Sequence, residues 1–266
     1  MFTPFLERFN WAVQRAGFPI CVGLDPDPEL IPPHLGKGAQ ALLPFLSAVI
    51  ESTRHLVAAY KPNTAFFEAY GTEGWAALEK VRDLIGPEPL LIADAKRGDI
   101  EHTNAAYAHA MFEHVRADAV TVQPYLGGGP LEPFVRNPSR GAFVLCVTSN
   151  PGAELVQNLP VGGRPLHLEI ARQARSWSEH PNIGLVVGST KPQALEAVLH
   201  VAADLPMLIP GGGSQGGQTA RVIQLLREHN ATGLLNFSRS ILYASAGSDF
   251  AEAARHEVLR LREELA

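Results

Sequence analysis

Eight short apolar runs recur along the chain: PICVGLD (19–25), VAAYKPN (57–63), PLLIADAK (89–96), AVTVQPY (119–125), AFVLCVTS (142–149), IGLVVGS (183–189), PMLIPGG (206–212) and GLLNFS (233–238). Their apolarity is nearly continuous, which predicts strands buried on both faces, as in a parallel sheet. Between them, apolar positions recur at three- and four-residue spacing. This predicts helices over LLPFLSAVIESTRHLV, GWAALEKVRDLI, HTNAAYAHAMFEHV, PQALEAVLHVAA and TARVIQLLREH, with FAEAARHEVLRLREEL closing the chain. Phe2, Phe5, Phe9 and Val13 mark an amphipathic opening helix. Eight strands alternating with helices predict an α/β fold, a closed (β/α)8 TIM barrel. An open doubly wound sheet is the alternative, because periodicity does not establish closure. No composition break marks a linker, so a single domain is expected over residues 1–266. The longest segment without an assigned element is NPGAELVQNLPVGGRPL (150–166), and long loops on compact domains often act as lids.

Composition narrows the class. With 46% hydrophobic and 18% charged residues, the chain can build a sizeable core and is not of the disordered type. A net charge of −5 argues against nucleic acid or an anionic membrane as the main partner. No apolar run approaches the length of a membrane span, and the N-terminus lacks the apolar core and cleavage site of a signal peptide. A soluble, cytoplasmic protein is expected. Cys21 and Cys146 lie within apolar runs and read as buried thiols. Neither CxxC nor HExxH spacing occurs, and Ser149 lacks a GxSxG elbow, so neither a metal nor an acyl-enzyme is expected.

The polar residues gather where the apolar runs end. Asp25 follows the first run, Lys61 and Asn63 end the second, and Asp94, Lys96 and Asp99 cluster at the third. Gln123, then Thr148, Ser149 and Asn150, and finally Ser238 and Arg239 follow the later ones. In a barrel these ends converge on one face, where active sites are built. In any single strand, a polar residue after an apolar run only marks the start of a loop. Across the set that reading weakens, because two of only five lysines fall at such ends beside acids.

The segment LLIADAKRGDI (90–100) is the most informative. If the strand stays extended, Asp94 and Lys96 point to the same face. With Lys61 they form an alternating set, Lys61, Asp94, Lys96 and Asp99, in which each charge favours the ionised form of its neighbours. A structural ion-pair network is an alternative reading of the same residues, although buried pairs are costly unless geometry or function justifies them. A protonated lysine is a proton donor; a fixed carboxylate repels an anionic substrate group or accepts from hydroxyls. Arg97 has no assigned chemistry beyond a solvated or structural role. The glycine-rich PGGGSQGGQ (210–218) can bring backbone N–H groups close to an anion, and barrel phosphate sites commonly use the loops after strands seven and eight. Arg239 could clamp the same anion. A flexible loop is the alternative, and the run is neither a Walker A nor a Rossmann fingerprint.

Taken together, DAKRGDI (94–100), CVGLDPDPE (21–29), YKPNTAFFEAYG (60–71), DIEHTNAAYA (99–108), QPYLGGGPLEPF (123–134), CVTSNPG (146–152), PGGGSQGG (210–217) and NFSRSILYA (236–244) resemble, in order and spacing, the orotidine 5′-phosphate decarboxylase family. The KPN and TSNPG forms are similar to its bacterial longer-chain subgroup. Gly212 departs from the larger apolar residue that many relatives carry there.

The resemblance implies decarboxylation of orotidine 5′-phosphate to uridine 5′-phosphate (UMP) in pyrimidine nucleotide synthesis, without metal or cofactor. It also implies a (β/α)8 barrel working as a homodimer with active sites at the interface. It implies that Lys96 protonates pyrimidine C6 and that Asp94 sits beside the departing carboxylate. Lys61 and Asp99 complete the charge network and hold ribose hydroxyls, with Asp25 on the sugar side. Asp99 and Thr103 reach the neighbouring subunit's ligand. Ser149 reads the pyrimidine edge; Gln215, Arg239 and the glycine-loop amides, Gly213 among them, grip the phosphate. Two other readings remain at this stage. One is a metal-dependent sugar-phosphate decarboxylase, such as 3-keto-gulonate-6-phosphate decarboxylase, which shares the D-x-K-x-x-D strand end. The other is a nucleotide-binding barrel without catalysis.

Overall fold

The computed structural model describes residues 3–211 and 216–265. Eight parallel strands close into a barrel: β1 (Ile20–Leu24), β2 (Ala59–Pro62), β3 (Leu90–Arg97), β4 (Ala119–Val122), β5 (Gly141–Val147), β6 (Ile183–Val187), β7 (Met207–Pro210) and β8 (Gly233–Phe237). Each lies within or next to one of the eight apolar runs. Closure is made by β1 pairing with β8, with Ile20 opposite Leu235 and Val22 opposite Phe237, which excludes the open sheet.

The apolar runs are continuous because successive residues serve two different cores. Cys21, Ala59, Ile92, Ala119, Phe143, Val186, Leu208 and Leu234 point into the barrel and form one cluster. Their sequence neighbours Val22, Tyr60, Ala93, Val120, Val144, Val187, Ile209 and Leu235 pack outward against the helices in another. Helix α1 (Phe5–Ala16) closes the bottom, with Phe5 and Phe9 fully buried against Phe143. Gly141 is needed here, because a β-carbon on it would lie 2.4 Å from the Phe5 ring. Of the residues expected in the opening helix, Phe2 lies outside the described residues.

Helices α2 (Ala39–Thr53), α3 (Gly71–Ile85) and α4 (Glu101–His109) follow β1, β2 and β3. The run beyond α4 widens into a π-turn over Ala110–His114, which still buries Met111 and Phe112. The segment 150–166 is more ordered than its sequence indicates. It holds a helical turn, Ala153–Gln157, and a two-residue hairpin pairing Pro160–Val161 with Arg164–Pro165. Gly162 and Gly163 turn that hairpin with φ of 57° and 82°. Elements this short leave no readable periodicity. Helix α5 (Leu166–Ala174), which the apolar pattern did not mark, follows directly. Then come α6 (Pro192–Ala202), α7 (Gly216–Glu228) and α8 (Phe250–Glu264). None of the described helices is long and apolar enough to cross a membrane.

Candidate active site

One pleat above the inward apolar layer, the strands present a different set of residues. Two positions on from Ala59, Ile92, Ala119 and Leu234 stand Lys61, Asp94, Thr121 and Asn236. The period of two that places the first set inside places the second there too, now at the C-terminal mouth. They floor a two-chambered cleft. One chamber, about 600 Å³, is lined by Asp25, Asn236, Ser238, Arg239 and Tyr243 among others. The other, about 230 Å³, is lined by Lys96, Thr121, Thr148, Ser149 and Asn150 together with the apolar Leu145, Val147, Val186 and Leu208. Lys61, Asp94 and Pro210 line both and so lie where the chambers meet.

Asp94 is the hub. Lys61 Nζ donates to its Oδ2 at 2.6 Å, and Lys96 Nζ donates to its Oδ1 at 2.7 Å. The Thr121 hydroxyl donates to Oδ1 at 2.9 Å. Burial would push the Asp94 carboxyl up, but the two ammonium groups outweigh it and hold it down at about 2. Burial would likewise push Lys61 down, but Asp94 and Asp25 together hold it above the ordinary lysine value. The two lysines differ in exposure: the Lys61 side chain is 4% exposed and that of Lys96 48%. Lys61 is therefore a buried anchor, and Lys96 is the ammonium presented to the cleft.

The extended path expected through Asp94 and Lys96 does not hold. The β3–β4 register runs Ala93 opposite Val120 and then Arg97 opposite Val122, so four steps on β3 match two on β4. Lys96 takes up the excess at φ 47°, a left-handed conformation costing a lysine about 1–3 kcal/mol. The two side chains meet all the same, through this bulge and not through strand alternation.

The low Asp94 value has a consequence for stability. An Asp whose folded value is about 2 against an ordinary 3.8 stabilises the fold fully above pH 3.8. That contribution is lost as pH falls through about 2. Urea midpoints of the wild type are therefore expected to fall over this window more steeply than those of Asp94→Asn. Parallel pH dependence in the two proteins would contradict the assignment.

The other expected residues are placed as follows. Asp25 lies at the mouth after β1, and its Oδ1 is buried with no hydrogen-bond partner among the described residues. Tyr243, which sequence reasoning missed, fixes the Asp25 loop: its hydroxyl donates to Asp25 O at 3.0 Å and accepts from Asp27 N–H at 2.6 Å. Asn236 Oδ1 and Ser240 Oγ, in the same chamber, are also buried and without a partner among the described residues. Native interiors satisfy nearly all such atoms, so three together mark acceptor and donor positions open to a ligand. Arg239 opens a short helix after β8, exposed into this chamber, with no ion pair to it among the described residues. Gly23 must lack a side chain, since a β-carbon there would lie 1.9 Å from Ser238 Oγ. Ser149 is exposed in the smaller chamber, beside Thr148, which Gln157 holds through two hydrogen bonds. Gly212, Gly213 and Gln215 lie outside the described residues.

Asp99 does not join Lys61, Asp94 and Lys96 within one chain. Its Oδ1 accepts from Ile100 N–H at 2.7 Å, and among the described residues no ion pair reaches it. Its backbone is clamped by the buried Asn104, which accepts from Asp99 N–H at 2.9 Å and donates to Asp99 O and Pro130 O at 2.7 Å each. Thr103 is half-buried on the first turn of α4. Arg97 is structural: it pairs with Glu68 and lies 5.1 Å over the Tyr107 ring. Cys21 and Cys146 are free and buried, and burial raises both thiols to about 12. Neither is a nucleophile at neutral pH.

Fold and site together define a (β/α)8 barrel whose C-terminal mouth holds a lysine–aspartate–lysine chain where two chambers meet. Residues 19–255 match the Orotidine 5′-phosphate decarboxylase / HUMPS family, and the chain belongs to it. It is 49% identical over 249 residues to the orotidine 5′-phosphate decarboxylase of Roseiflexus sp. (strain RS-1), covering 92% of this chain and 90% of that protein. Against the enzyme of the same name from Thermomicrobium roseum it is 48% identical over 263 residues, covering 97% and 94%. Among solved structures, Leishmania donovani OMP decarboxylase is similar with a TM-score of 0.85 at 37% identity over 99% of both chains.

Proposed function

We propose that this chain works as a single barrel domain that decarboxylates orotidine 5′-phosphate to UMP in the cytoplasm, without metal or cofactor. The observation that carries the reading is the Lys61–Asp94–Lys96 chain at the junction of the two chambers. The smaller chamber takes the pyrimidine, with Ser149 at its edge. The larger takes ribose and phosphate, with Arg239 as the cation and Asp25 Oδ1 as an acceptor for a sugar hydroxyl. Gln215 and Gly213 are assigned to the phosphate by the family motif alone.

In this reading the bond from C6 to the carboxylate breaks and its electron pair stays on C6, in the ring plane, where the π-system cannot absorb it. CO2 leaves. The pair takes a proton from the Lys96 ammonium, and solvent reprotonates the lysine. Lys96 is suited to this because a preorganised cation stabilises charge where it develops. It is also the exposed lysine of the pair. Asp94 keeps Lys96 aimed and lies beside the departing carboxylate. The working unit is a homodimer in which Asp99 and Thr103 serve the neighbouring subunit's ligand; neither nucleic acid nor membrane is a partner.

The test is the ultraviolet loss of orotidine 5′-phosphate by purified protein in excess chelator. Turnover unaffected by chelator is expected. Turnover abolished by chelator and restored by a divalent ion would overturn the metal-free mechanism, and neither turnover nor UMP binding would favour the sugar-phosphate decarboxylase reading instead. Tight UMP binding with no turnover would leave only a nucleotide-binding barrel.

A further inference from the structure

We infer that Thr121 is a positioning residue for the reaction, holding the Lys96 backbone and the Asp94 carboxylate together across the β3 bulge. The inference rests on the decarboxylase reading above. The bulge takes Lys96 out of the regular ladder: between Ala93 and Arg97 the register with β4 is lost. The Lys96 N–H thus has no strand carbonyl opposite it and needs another acceptor. Thr121 Oγ1 supplies the missing acceptor at 3.0 Å. A hydroxyl that accepts there still has its own proton to give, and it gives it to Asp94 Oδ1 at 2.9 Å. That same oxygen receives the Lys96 ammonium. One hydroxyl therefore touches both ends of Lys96's geometry, its strained backbone at φ 47° and the carboxylate that aims its Nζ.

The hydroxyl is well placed to do this and little else. Thr121 is 1% exposed on β4, two residues above Ala119 of the inward layer, and lines the smaller chamber beside Lys96. Serine keeps both hydrogen bonds. Valine keeps the shape and loses both, leaving the Lys96 N–H unpaired and the Asp94 carboxylate with the two lysines alone. The Lys61–Asp94 contact does not depend on Thr121, so the anchor and the ribose–phosphate chamber should survive the change. Thr121 is thus expected to act on the chemical step more than on binding.

The experiment is steady-state decarboxylation of orotidine 5′-phosphate by the full chain as wild type, Thr121→Val, Thr121→Ser and Thr121→Cys, with UMP affinity and melting temperature measured for each. The expected result is a kcat for Thr121→Val lower by about 10–100-fold, the size of a lost supporting contact behind a functional group. UMP affinity should stay within about threefold, and Thr121→Ser should restore most of the rate. A Thr121→Val rate equal to wild type, or a Thr121→Ser rate as low as that of Thr121→Val, overturns the inference. If Thr121→Val does not fold, Thr121→Cys, with similar size and a weakly hydrogen-bonding sulfur, takes its place. A cysteine rate equal to wild type then overturns the inference. A folded wild type without turnover overturns the decarboxylase reading and this inference with it. An active wild type with an indifferent position 121 overturns this inference alone.

Discussion

Replacing Lys96 by alanine is expected to lower kcat by about 10³-fold or more while UMP still binds and the protein still folds. The geometry makes this an unusually clean substitution. Lys96 holds the exposed end of the ion-pair chain, and its removal leaves Asp94 Oδ2 on Lys61 and Oδ1 on Thr121. The buried carboxylate therefore remains paired, and no uncompensated charge is created. Removing Lys61 or Asp94 has no such protection. Each would leave a buried partner short of its counter-charge, at a cost that commonly reaches about 3–5 kcal/mol. The larger chamber, lined by Asp25, Asn236 and Arg239 and assigned above to ribose and phosphate in the proposed reading, does not include Lys96. Product affinity measured by titration should thus separate from turnover measured by absorbance. If Lys96→Ala kept a kcat near the wild-type value, the proton on C6 would have to come from elsewhere, and the mechanism proposed for this site would fail.

The sequence made the barrel readable because inward and outward residues of each strand are both apolar, producing the unbroken runs. It also made Lys61, Asp94 and Lys96 readable as one cluster, since charged residues at the ends of such runs are costly unless they meet. Their actual contact was not readable. It depends on a register shift and on a lysine at φ 47°, neither of which has a residue signature such as glycine. Thr121 passed as an ordinary β-branched strand residue in AVTVQPY, because its hydroxyl acquires meaning only where the neighbouring strand bulges. Tyr243 was hidden for a different reason. It lies 218 positions from Asp25, whose carbonyl it binds, and no local pattern joins them. The loop at 150–166 concealed a helical turn and a hairpin because a two-residue strand is shorter than any periodicity. For Arg97 the sequence left a solvated or a structural role open, and the fold makes it structural by bringing Glu68 and the Tyr107 ring to it.

Asp99 is the residue whose place in the sequence and place in the fold diverge most, and that divergence supports the second large prediction. It follows Lys96 by three positions, yet its carboxylate turns to Ile100 N–H and not to either lysine. Asn104 locks its backbone to the turn at Pro130, so its position is fixed. Its neighbour Ile100 is 59% exposed, and Tyr125 and Leu126, in the loop that Gln123 ties back to Gly98 O, are 88% and 43% exposed. Exposed apolar side chains on neighbouring loops are the kind of surface that association covers. In the proposed homodimer Asp99 completes the neighbour's site, so each site needs Lys96 from one chain and Asp99 from the other. Lys96→Ala and Asp99→Ala proteins should each be nearly inactive alone. Mixed in equal amounts after subunit exchange, they should regain about a quarter of wild-type activity, because half the dimers are mixed and each then holds one intact site. Lys96→Ala mixed with Arg239→Ala provides the control. Both residues belong to the same chain's contribution, so no intact site can form and no activity should return. Recovery in the control, or none in the first mixture although size-exclusion chromatography shows that dimers exchange, would place Asp99 in its own chain's chemistry and leave the face around Tyr125 without this role.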